Sequence, residues 1–202
     1  MGLDQAHKAL RSRHFWLATA AVAVVGFLLE LGGDSVRDAL AYERAAIGAG
    51  QLWRLVSAHF VHLGWSHLVL NLAGLALVAW LVGHTFSWQR WLYVGLASIA
   101  AIGAGFWFLD PGLDWYVGLS GLLHGLLVAG LVAGIARRDR EALILAAFVL
   151  AKLAWEQAAG PLPGSESTSG GAVIVDAHLY GAIGGVLGAL SLWRSVRPAA
   201  SI

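Results

Sequence analysis

Long apolar runs separated by short polar clusters set the pattern of this chain. The runs fall at roughly 15–31, 66–84, 91–109, 118–136, 141–158 and 176–193, each near the ~20 residues a helix needs to cross hydrocarbon. They predict an all-α membrane protein built as a six-transmembrane-helix bundle. Residues 1–14 then read as a cytoplasmic N-terminal segment, 15–193 as one membrane domain and 194–202 as a cytoplasmic C-terminal tail. The first run follows a basic segment but ends in Glu30-Leu31-Gly32-Gly33, without a small-x-small cleavage site. It reads as a span, not as a cleaved signal peptide.

Composition supports this. The chain is 58% hydrophobic and 12% charged, against about 25% charged for soluble chains. A net charge of +1 gives no reason to expect a nucleic-acid partner. With no cysteine, disulfides, a thiol nucleophile and thiolate metal sites are excluded. Charge placement supplies orientation. Lys8, Arg11 and Arg13 precede the first run, Arg90 follows the second, Arg137, Arg138 and Arg140 follow the fourth, and Arg194 and Arg197 follow the sixth. The opposite connections hold Asp110 and Asp114, and then Glu166 and Asp176. The positive-inside rule puts both termini in the cytoplasm. Loop 32–65 runs against it, with Arg37, Arg44 and Arg54 on the external side.

That topology collects polar residues at one end. Ser120, His178 and His67 fall in the first turns of three runs that all enter from the external face. Polar and ionisable groups inside a bilayer are functional candidates, because burying them idle is costly. A hydroxyl and an imidazole at matching depth fit a serine nucleophile and its base. Gly121 and Gly125 on one run, and Gly181 and Gly185 on another, have the small-xxx-small spacing that lets helices approach closely. Taken alone, these glycines are better explained by ordinary helix packing. His67 and Asn71 are one turn apart on one face. They read either as oxyanion donors or as a polar pair bonded between helices.

Several other polar residues carry two readings. His124, one turn after Ser120, is a buried helix-to-helix hydrogen bonder or a member of the site. Lys152 and Glu156 form an i, i+4 pair that is structural or recognises substrate at its access face. No acidic third member for a serine–histidine pair is evident. His59, His62 and His67 lack the helical spacing and carboxylates of a metal centre, so no metal is expected. Trp65, Trp88, Trp91, Trp115 and Trp193 lie near run ends, as an aromatic belt predicts, and Trp53 suits packing of loop 32–65 onto the membrane. Residues 160–172 are rich in turn-forming types and read as a cap over the site or as a plain connection.

Taken in order, these residues resemble the rhomboid intramembrane serine proteases from about residue 50 to 190. Trp53-Arg54 looks like that family's loop motif. His62, His67 and Asn71 match a loop histidine followed by His-x-x-x-Asn, and Gly118-Leu119-Ser120-Gly121 matches its nucleophile motif. Ala177-His178-Leu179-Tyr180-Gly181 with Gly185 resembles the motif of its last helix. The resemblance implies Ser120 as nucleophile, His178 as base, and His67 with Asn71 at the oxyanion, with no cofactor. His124-Gly125 shortly after the serine motif, in a minimal chain, is similar to the rhombosortase subfamily. That implies a protease in a bacterial inner membrane with its site facing the periplasm. Its partners would be proteins anchored by a C-terminal Gly-Gly motif, a transmembrane segment and a basic tail.

Overall fold

The computed structural model describes residues 3–192, with side chains described from Trp16 onward. Each of the six apolar stretches folds as a helix: α1 (Leu3–Leu31), α5 (Trp65–Val82), α6 (Trp88–Phe108), α7 (Ser120–Ala136), α8 (Arg140–Ala159) and α10 (Val175–Ser191). By length and apolarity α5, α6 and α8 suffice to cross a membrane. A fourth crossing is reached if Trp16–Leu31 and the following α2 (Gly33–Leu40), bent by 117° from it, count as one span. The expected six spans are thus met in part. α7 and α10 have 17 residues each, about half of them buried against neighbouring helices. The basic residues at 8, 11, 13, 194 and 197, both terminal segments and Trp193 lie outside the described side chains.

α10 is the hub, packed most extensively against α7 and α6. Its glycines make this possible along two lines. A Cβ on Gly181 or Gly185 would run into the backbone of Gly121 or Gly125 on α7. One on Gly184 would meet the backbone of Ala97 and Ser98 on α6, with Ala97 O at 2.7 Å. The small-residue spacing therefore packs α10 against both neighbours, backbone to backbone.

Loop 32–65 is more ordered than its sequence pattern predicts. It holds α2, a two-residue strand β1 (Tyr42–Glu43), α3 (Arg44–Gly48) and α4 (Arg54–Ser57). β1 pairs antiparallel with β2 (Trp115–Tyr116), Tyr42 opposite Tyr116. This small ladder is the exception to the all-α expectation. The loop's charges have structural tasks. Arg54 is buried and donates to the Asp38 and Ala41 carbonyls, each at 2.8 Å, and to Gln51 Oε1 at 2.7 Å. Arg44 donates to Leu113 O at 3.0 Å and Asp110 O at 2.6 Å, and also to Phe106 O at the end of α6. Arginines consumed by orphan carbonyls in this way act as caps. Trp53, Trp65, Trp88 and Trp115 are exposed, as belt residues are. Trp91 is not: it is buried against Phe86 and donates its ring N–H to Gly83 O at 3.1 Å.

Candidate active site

The connection leading into α7 is fixed from both sides. Gly118 N donates to Ala58 O at 2.9 Å, and the Tyr116 hydroxyl donates to the Gly118 carbonyl at 2.6 Å. Gly118 adopts φ 122°, a region that disfavours any side chain. A Cβ there would also lie 2.7 Å from His67 Cε1. Glycine at this position lets the chain turn into α7 while the His67 ring comes close against it. Ser120 is the first residue of that helix.

Ser120 and His178 meet because α7 and α10 touch through their glycines. His178 Nε2 lies 3.0 Å from Ser120 Oγ, within reach for proton transfer. Both line a cavity of about 670 Å³, together with His67, Asn71, His124 and Lys152. The cavity runs on between α5 and α8 over an apolar floor of Leu77, Val78, Leu127 and Val149. Its roof includes α9 (Ser165–Ser169) and the residues around it, so segment 160–172 does lie over the site.

On α5, the Leu63 N–H donates to His67 Nδ1 at 3.3 Å. That assignment leaves the proton on Nε2, the nitrogen that faces Gly118. The Asn71 amide donates to the His67 carbonyl at 3.0 Å, which leaves its second N–H for another acceptor.

Lys152 and Glu156 are not at a distant surface. Glu156 is buried directly behind His178, with Oε2 3.0 Å from His178 Nδ1 and Oε1 2.7 Å from Lys152 Nζ. A carboxylate therefore does stand at the third position, where the sequence offered none. The helical spacing shows that Lys152 and Glu156 share a face; it gives no sign of which helix that face meets. His124 stacks on His178 with ring centroids 4.2 Å apart, and its Nδ1 lies 2.8 Å from the Ser120 carbonyl. The ligand atoms of His124, Glu156 and His178 are close enough for a metal ion. Lys152 Nζ sits among them, within 3.5 Å of each residue, so a cation would have to displace an ammonium.

Trp53, Arg54 and His62, which the motifs leave as substrate-site or structural residues, do not line this cavity. Trp53 and Arg54 belong to the loop frame. His62 is buried beneath the site, edge-on to His67 at 5.2 Å, and does not line the cavity.

The fold and these groups define a helical membrane protein with a serine and a histidine paired at the head of a cavity between helices. A Rhomboid domain model matches residues 49–195, most of the chain, and the protein belongs to the rhomboid family, whose members are generally intramembrane serine proteases. None of the curated proteins compared with the chain matches it.

Proposed function

We propose that this protein is an intramembrane serine endopeptidase of the rhombosortase type. In this reading the six helices span a bacterial inner membrane, both termini are cytoplasmic, and the site opens toward the periplasm. The observation that carries it is the 3.0 Å approach of His178 Nε2 to Ser120 Oγ inside a largely apolar cavity.

His178 takes the Ser120 proton as Oγ attacks the scissile carbonyl, and the tetrahedral oxygen becomes negative. His67 Nε2–H, the free Asn71 N–H and the Ser120 backbone N–H are its donors, the last at the positively polarised start of α7. His178 then returns the proton to the leaving amine, and water releases the acyl-enzyme by the reverse exchange. Three helix N-termini, those of α5, α7 and α10, converge here, which favours the developing anion. No metal or organic cofactor has a part.

The clients would be proteins anchored by a Gly-Gly motif, a transmembrane segment and a basic tail. Glycine leaves helical geometry at little steric cost and would extend beneath α9. Co-expression with such a client, followed by mass determination of its new C-terminus, tests both levels. Ser120→Ala or His178→Ala should abolish cleavage in protein that still folds in detergent. Near wild-type cleavage by Ser120→Ala removes the serine-protease reading, and a wild type that leaves the client uncut favours an inactive scaffold. A client with Leu-Leu in place of Gly-Gly should resist processing; equal processing leaves a general rhomboid protease.

A further inference from the structure

The polar groups around His178 form a closed circuit that begins and ends on Ser120. Ser120 Oγ meets His178 Nε2 at 3.0 Å, and His178 Nδ1 meets Glu156 Oε2 at 3.0 Å. Glu156 Oε1 accepts from Lys152 Nζ at 2.7 Å, Lys152 Nζ meets His124 Nε2 at 3.0 Å, and His124 Nδ1 meets the Ser120 carbonyl at 2.8 Å. With Glu156 ionised beside the Lys152 ammonium, donor and acceptor roles around this ring are set. A carbonyl can only accept, so His124 carries its proton on Nδ1 and its bare Nε2 accepts from Lys152. Lys152 can only donate, so Glu156 Oε1 accepts. Glu156 Oε2 then accepts from His178 Nδ1–H, which leaves His178 Nε2 bare and facing the serine hydroxyl.

Resting on the protease reading above, we propose that Glu156 is the acidic third member of this site. It is a positioning residue that, with Lys152 and His124 closing the ring, holds His178 in the one tautomer able to take the serine proton.

Lys152 makes the carboxylate necessary. Its Nζ also lies 3.5 Å from His178 Nδ1. Were it to donate there, the imidazole proton would move to Nε2 and point at Ser120, and His178 could not act as base. Glu156 wins this contest because it is nearer, charged and the stronger acceptor, and because it engages the ammonium itself. Charge also balances: burial leaves Glu156 3% exposed and Lys152 31% exposed, as a pair. The carboxylate thus remains ionised to stabilise the imidazolium formed during attack. The charged and titratable groups facing His178 are His124 from α7, Lys152 and Glu156 from α8, and His67 from α5.

The test uses Glu156→Gln, alone and with Lys152→Met. In the single variant Lys152 takes the glutamine oxygen, the amide N–H₂ turns to His178 Nδ1, and the inactive tautomer is held. The kcat for a peptide client in detergent should fall ~10²–10⁴-fold with KM nearly unchanged, the scale of losing a tautomer-fixing carboxylate. Removing the lysine frees the glutamine to turn its oxygen to Nδ1–H. The double variant should therefore recover about tenfold or more over Glu156→Gln. A role confined to helix packing would give no such recovery. An unchanged kcat in Glu156→Gln, or a double variant no faster than it, overturns the assignment. Should Glu156→Gln not fold, Lys152→Met is compared with the double variant, where equal kcat overturns it. Ser120→Ala run alongside separates the readings, since cleavage abolished there but intact in Glu156→Gln removes the carboxylate's role and leaves the protease.

Discussion

Gly118 concentrates two demands that one missing side chain satisfies: φ of 122° and the His67 ring where a Cβ would go. Gly118→Ala should cost ~1–3 kcal/mol of backbone strain and push His67 away from the position beside Ser120. Turnover should then drop about 10²-fold, with a smaller change in KM; kinetics that match wild type would mean that the ring does not need this approach. The donors themselves can be probed separately. Loss of a single oxyanion donor typically costs ~10²–10³ in kcat, and each of His67→Ala and Asn71→Ala should fall in that range while leaving partial activity. If neither variant slows turnover, the pair belongs to helix packing. That Ser120, His178, His67 and Asn71 gather at one cavity was legible at this scale, because residue type and helical spacing carry the information. Glu156 was not, because its part is set by what lies across from it.

Helix placement follows from small residues more than from apolar ones. α7 and α10 approach until Gly121 and Gly125 lie against Gly181 and Gly185, and only that distance lets His178 reach Ser120. Gly185→Ala should therefore damage stability and catalysis together. Overpacking costs ~1–3 kcal/mol, and here the obstacle is the rigid backbone of Gly125, so the loss should sit at the upper end. Unfolding in mixed micelles is the measurement, with Gly112→Ala as control, since a Cβ at Gly112 meets nothing within 4 Å. If the two variants unfold alike, the glycine seam is not what holds the helices. The apolar runs located all six long helices and the glycine spacing marked the seam. Three features escaped. β1 and β2 are two residues each, too short for alternation to register. α2, α3 and α4 lie in a segment without a sustained period. Trp91 was assigned to the interface because it stands near a run end, yet it packs inward on Phe86 at 5.0 Å; sequence position gives depth in a bilayer but not the direction a side chain faces.

At the scale of the molecule, loop 32–65 is a frame fastened over the helix ends, and its histidines make it sensitive to acid. His59 is buried with its ring edge-on to Tyr116 at 5.6 Å, and His62 is buried with neither ring nitrogen hydrogen-bonded among the described residues. Burial penalises their charged forms, holding His59 down to about 4 and His62 to about 3. In the unfolded chain both titrate near 6.5, so below that pH the unfolded state binds protons that the folded state refuses. Stability is then fully present above pH ~6.5 and falls as pH drops, by about 1.4 kcal/mol per pH unit for each histidine. The loss continues until the folded protein itself begins to protonate near pH 4. Because the loop supports Gly118 through the Ala58 carbonyl at 2.9 Å, loosening it should release the turn into α7 and silence the site before the helices separate. Thermal unfolding in detergent from pH 8 to pH 5 should show flat stability down to about 6.5 and a decline beneath it. His62→Leu should make that decline shallower, since it removes one of the protons taken up on unfolding. A decline of the same slope in wild type and His62→Leu would place the acid sensitivity elsewhere than His62.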